Sequence, residues 1–261
     1  MGYVVDGMKV LLSPSRFSAM WNFDRDLQRA DGNMQVACES FFDRLGYRVE
    51  LDRRWTTSSG GILFFGDHPT ALDGFAMALA CPKHLTCRRT MFTLSACLLG
   101  KNVRRSCVTV WPRGNYHNLV YKTGGFVDRV SYLISHRWGP WVRPGQALHR
   151  MCNRLSDGEC LTLLPSGTVG EQHWRSGIGS IILNCMERES RLDRDQALSL
   201  RLAPVYLEWN HHQKVVTVRA PRLISFAEVC HQVAAQRAGE PCNRDHVTTW
   251  LQSQYRDDDW G

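Results

Sequence analysis

The residues best suited to do chemistry are a histidine and an aspartate five positions apart, His68 and Asp73. They follow the apolar run Gly60-Gly-Ile-Leu-Phe-Phe-Gly-Asp-His68, and Pro69-Thr-Ala-Leu-Asp-Gly74 then turns into a new segment. An imidazole titrates at roughly 6.5 in an unperturbed side chain, so near neutral pH it can take a proton and return it. A carboxylate that accepts from one ring nitrogen orients the ring and leaves the other lone pair facing a reactant. The pair therefore reads as a general base at a strand tip with its orienting partner just inside the following helix. A second turn, Pro165-Ser-Gly-Thr168, ends another apolar run, Leu161-Thr-Leu-Leu164. It is not the G-x-S-x-G elbow that exposes a nucleophilic serine. Ser166, Gly167 and Thr168 read instead as hydroxyl and backbone donors beside an oxyanion or an acceptor, with the glycine permitting close backbone approach.

The elements that must position these groups alternate. Apolar residues recur at helical spacing over Asp31–Gly46, where Met34, Cys38, Phe41, Phe42 and Leu45 share one face. Tyr47–Leu51 reads as a strand leading to the turn Thr56–Gly61, and Ile62–Phe65 as the strand before the base. Leu72–Leu79 is a helix ending near Pro82, Thr90–Leu99 is ambiguous between strand and helix, and Cys107–Trp111 is a strand. Helices are expected over Arg129–Ser135, Gln146–Leu155 and Ser180–Glu187, with strands at 160–164, 202–207 and 214–219. Strands alternating with helices predict an α/β fold, a mixed but mostly parallel sheet covered by helices, with the first ~50 residues helical against the core. The catalytic core is expected over 60–220 of one domain spanning 1–261, and Gln252–Gly261 as a frayed end. In such sheets reactive groups sit at the carboxyl ends of strands, where both turns fall.

The H-x4-D spacing resembles the signature of the glycerolipid acyltransferases, the lysophosphatidic acid and glycerol-3-phosphate acyltransferase family. Three further blocks resemble that family in order: Gly124-Gly-Phe-Val-Asp-Arg129, Pro165-Ser-Gly-Thr168 followed by Trp174-Arg-Ser-Gly-Ile-Gly179, and Leu202-Ala-Pro-Val-Tyr-Leu207. The resemblance covers about residues 60 to 207. It implies a glycerol-3-phosphate acyltransferase-like fold and direct acyl transfer from a thioester in a ternary complex. It also implies His68 and Asp73 as catalytic residues, and Gly125, Phe126, Arg129, Ser166, Gly167, Thr168 and Arg175 as substrate-binding residues. Two departures bear on the acceptor. Position 166 is Ser where most membrane members have Glu, as in soluble plant-type members. Val169 stands where an Arg usually follows Gly-Thr, so the acceptor lacks a phosphate, or Arg175 or Arg129 takes over its binding.

No cofactor is implied beyond the donor substrate, acyl-CoA or acyl-ACP. The net charge of +7, from 32 Lys and Arg against 25 acids, suits an acidic acyl carrier protein, a nucleotide-bearing thioester or anionic lipid, or serves solubility alone. Nucleic acid is disfavoured, because no zinc spacing, RNA-binding aromatic signature or uninterrupted basic tract occurs. Among Arg88, Arg89, Lys101, Arg104 and Arg105, Arg104 and Arg105 are the carrier-binding candidates, with a solvated basic face as the alternative. Ten scattered cysteines form no C-x-x-C, and Cys81, His84 and Cys87 lack a second ligand pair, so no metal site is expected. No apolar run approaches the ~20 residues of a membrane span. A cytoplasmic chain with reduced thiols follows, with peripheral membrane contact left open. Trp138 and Trp141 line either an acyl channel or the core. Three functions fit: acyl transfer to a hydroxyl of a glycerolipid-like acceptor, the same chemistry on an amine or hydroxyl of a specialised metabolite, or a non-catalytic lipid- or carrier-binding module.

Overall fold

The computed structural model describes residues 14–57, 59–70, 72–92, 101–110, 144–167, 170–189, 200–236 and 242–256. Two helices come first. In α1 (Pro14–Arg29) proline occupies the first helical position, where its missing N–H would have no partner in any case. Phe23 and Leu27 bury one face of α1, and the Asp26 carboxylate accepts from Arg44 Nε at 3.1 Å. Helix α2 (Met34–Leu45) begins where the Asn33 side chain accepts from the Val36 N–H, and Asp31 before it is left-handed (φ 50). The helix expected from Asp31 therefore starts three residues later.

The main sheet contains β2 (Ile62–Phe65), β3 (Cys87–Phe92), β4 (Cys107–Val110), β5 (Cys160–Leu163), β6 (Arg201–Pro204) and β9 (Ile224–Ser225). Their spatial order is β4-β3-β5-β2-β6-β9, parallel throughout except for β9 against β6. Strand β2 lies in the interior, its four residues all buried, as a parallel strand covered on both faces must be. Its side chains alternate between two cores. Ile62 and Phe64 join α1, α2 and α3 (Asp73–Ala78), whereas Leu63 and Phe65 join a second cluster. That cluster is built from α5 (Pro144–Ser156), α6 (Gly177–Glu189), α7 (Phe226–Gln236) and α8 (Arg244–Arg256). A short α4 (Lys101–Ser106) precedes β4.

Three expectations need correction. The run 202–207 is two strands, not one. Val205 N–H donates to Phe65 O (2.8 Å), but Pro204 has no N–H to offer a further strand, and the chain turns away. It continues as β7 (Tyr206–Asn210) in a separate three-stranded sheet, order β1-β8-β7, with β1 (Arg48–Arg53) parallel and β7 antiparallel to β8 (Val215–Ala220). The strands thus form two sheets. The C-terminal stretch is also not frayed through Arg256. Helix α8 is capped by Asn243 Oδ1, which accepts from the His246 N–H at 2.9 Å, and Val247, Leu251 and Tyr255 bury one stripe. Strand β3 claims Thr90–Phe92 from the ambiguous segment. The helix expected over Arg129–Ser135 and the tryptophans Trp138 and Trp141 lie outside the described residues.

Candidate active site

Strands β2 and β5 are parallel neighbours with Phe65 beside Leu163, so both end on the same edge of the sheet. Beyond β2 the chain passes through Gly66, Asp67 and His68. Gly66 is required by space: a Cβ there would lie 2.3 Å from Val205 O. The backbone can thus press against the point where β6 gives way to β7.

The loop carrying His68 is held from three directions. Gly170 N–H, just past the Pro-Ser-Gly turn, donates to His68 O at 2.7 Å. Trp174 Nε1–H donates to Asp67 Oδ1 at 2.7 Å. The Tyr255 hydroxyl of α8 accepts from the Asp67 N–H (3.3 Å) and donates to Val205 O (2.9 Å). Burial pushes the Tyr255 hydroxyl well above its ordinary titration range, so it stays protonated and keeps both bonds.

His68 and Asp73 meet as the spacing predicts. His68 Nδ1 lies 3.1 Å from Asp73 Oδ2; the imidazole is 14% exposed and the carboxylate 0%. A carboxylate only accepts, so in the neutral ring Nδ1 carries the proton and Nε2 keeps its lone pair. Among the described residues no hydrogen bond engages Nε2. A fully buried carboxylate needs its lone pairs met, and here four donors meet them. Oδ2 also accepts from Thr70 N–H (2.5 Å), while Oδ1 accepts from Thr70 Oγ1 (2.8 Å) and Trp209 Nε1 (2.9 Å). Thr70 Oγ1 in turn accepts from the Leu72 N–H at 3.2 Å, opening α3.

A buried cation completes the surroundings. Arg89 of β3 is 8% exposed, with its guanidinium 3.9 Å above the Phe75 ring. Burial lowers its pKa, against the opposing charge influences of Cys107, Cys38 and Asp73. Gly74 makes room for it, since a Cβ there would lie 2.4 Å from Arg89 Nη2. Phe75 also stacks on Phe41 of α2 at 4.4 Å, so the N-terminal helices brace the helix that carries Asp73.

No protein-family model matches the chain. No curated protein matches it either. One similar solved structure is the 1-acyl-sn-glycerophosphate (LPA) acyltransferase PlsC from Thermotoga maritima. It is 12% identical with a TM-score of 0.44, over 99% of this chain and 88% of that one.

The remaining candidates are placed as follows. Ser166 is fully buried in the turn after β5. Gly167 N–H closes that turn onto Leu164 O (2.9 Å), so this expected oxyanion donor is already committed. Arg175 N–H donates to Pro165 O, and its exposed guanidinium lies 3.3 Å from Glu171. Gly125, Phe126, Arg129 and Thr168 lie outside the described residues, as does the side chain of Arg104. Arg105 is exposed. The rest of the expected basic face is smaller than its composition implies: Arg89 is in the core, and Arg88 Nε pairs with Glu159 at 2.9 Å. The described cysteines are free thiols, most of them buried. No helix among the described residues is long and apolar enough to cross a membrane.

Two residues that donate to the Asp73 carboxylate escaped the sequence reading. Thr70 was detectable, because Thr70-Ala-Leu-Asp73 is a capping-box spacing in which the acid reaches back to a backbone N–H. Trp209 left no local signal, being 136 positions from Asp73.

Proposed function

We propose that this protein is an acyltransferase that moves an acyl group from a thioester, acyl-CoA or acyl-ACP, to a hydroxyl of a glycerolipid-like acceptor. The observation that carries the reading is the His68–Asp73 pair at a strand tip, with the buried carboxylate holding Nδ1–H and Nε2 left as the available lone pair. Nε2 takes the acceptor's proton as its oxygen attacks the thioester carbonyl. Asp73 stabilises the imidazolium that forms, and the same proton then passes to the departing thiolate. The thioester is already activated, so no covalent enzyme intermediate is needed. The burial of Ser166 agrees with that route. The exposed Arg105, with Arg104, is our candidate for docking the acidic end of the donor.

The test is His68→Ala. Incubation with acyl-thioesters and candidate acceptors, read by mass spectrometry and thiol release, should show transfer by the wild type. The folded variant should lose roughly 10²–10⁴ in rate. A folded His68→Ala protein with near-wild-type turnover would remove the base from the mechanism.

A further inference from the structure

We infer that Trp209 is a positioning residue for the proposed base: its indole N–H fixes the Asp73 carboxylate, and through it the His68 ring. The inference rests on the acyl-transfer reading above, in which Asp73 orients His68.

Three of the four hydrogen bonds on the Asp73 carboxylate come from His68 and Thr70 in the same turn. These donors lie on the same short segment as the group they hold, so none of them bonds the carboxylate directly to another element. The fourth donor comes from β7 in the other sheet, at 2.9 Å from Oδ1. It pins the carboxylate to a separate element. Without it Oδ1 keeps only the Thr70 hydroxyl, a single-bond rotor whose O–H can turn elsewhere.

The indole is itself held in place. It stacks on His211 (5.7 Å between centroids, 19°), meets Tyr47 edge-on (5.7 Å, 84°) and packs on Phe42 of α2 (6.0 Å). The Tyr47 hydroxyl lies 2.7 Å from His211 Nδ1, which closes the frame. An indole carries one donor and no acceptor. A ring boxed by three neighbours and aimed at a buried carboxylate is therefore a fixed pointer, whereas packing alone would be served equally by a ring without the N–H.

Trp209→Phe keeps an aromatic ring and removes only the donor. Loss of an outer partner that orients a reactive side chain typically lowers activity about 10–100-fold. The fall should appear in kcat with KM little changed, since the indole N–H is spent on the Asp73 carboxylate. On an Asp73→Asn background the same substitution should add little, because the oriented group is already lost. In ¹⁵N spectra of the wild type, His68 should show a single tautomer with the proton on Nδ1, and in Trp209→Phe that pattern should become mixed. Wild-type kcat together with an unchanged His68 pattern would overturn the inference, as would an additive loss on the Asp73→Asn background. Should Trp209→Phe not fold, the Trp209 indole resonance decides: it must shift in Asp73→Asn, and an unmoved resonance overturns the inference. Failure of the acyl-transfer reading is separate, because it shows as an active His68→Ala while the spectra still report whether Trp209 holds the dyad.

Discussion

Replacing Asp73 by asparagine changes one oxygen to an amide nitrogen in a fully buried site where four donors converge. The amide has two ways to sit, and both fail. With the nitrogen in the Oδ2 place it faces the Nδ1–H of His68 and the Thr70 N–H. His68 can answer by moving its proton to Nε2, which removes the lone pair the proposed reaction uses, but the Thr70 N–H has no such freedom. With the nitrogen in the Oδ1 place the Thr70 hydroxyl can reverse, but the Trp209 N–H cannot. Either orientation leaves one N–H unpaired in the interior, a loss of about 1–3 kcal/mol of stability. Both also remove the negative charge that stabilises the imidazolium, so the rate should fall roughly 10²–10⁴-fold whichever way the amide turns. Urea unfolding measures the first effect, and thiol release from an acyl-thioester in the presence of acceptor measures the second. A variant as stable as the wild type and within a few-fold of its turnover would refute the four-donor argument and the dyad together.

Ser166→Ala should keep most of its turnover, because no acyl-serine lies on the proposed route; an acylated Ser166 peptide in a trapped reaction would replace that route with a two-step one. Tyr255→Phe removes the donor to Val205 O and the acceptor for the Asp67 N–H, and should cost about 1–2 kcal/mol in chemical denaturation. Burial raises the Tyr255 pKa in the folded state only, so the unfolded chain loses this proton first as pH rises past roughly 10. The wild type should therefore lose stability there, and Tyr255→Phe should lose less of it; equal slopes for the two proteins would contradict the assignment. If Arg104 and Arg105 dock an acidic donor, reversing both to Glu should raise the donor KM more than it lowers kcat, and the wild-type KM should climb with salt as exposed charges are screened within about 10 Å at 0.1 M. A salt-independent KM would leave them as a solvated face.

The dyad was legible because it is local. Four residues between His68 and Asp73, an apolar run before them and a helical pattern after them put an imidazole and a carboxylate together through the turn alone. Strand β2 was legible for a related reason, since Ile62–Phe65 is apolar at every position and only burial on both faces accommodates that. The split at Val205 was less visible. An apolar run carries no mark of which sheet each half joins, and Pro204 declares only that one donor is missing. The burial of Arg89 was hidden as well, because a charged residue in an Arg-Arg pair reads as surface until Phe75 and the space at Gly74 are seen around it.

Sequence alone thus determined the pairing of His68 with Asp73, the strand that presents them and the α/β class, all matters of short-range spacing and period. Tertiary structure decided what holds the pair still. Trp209 arrives from another sheet, Trp174 from beyond β5, and Tyr255 from a helix near the C-terminus. A buried carboxylate demands donors, but that demand does not specify where along the chain they reside. Only the folded chain brings residues 136 and 188 positions apart to the same turn.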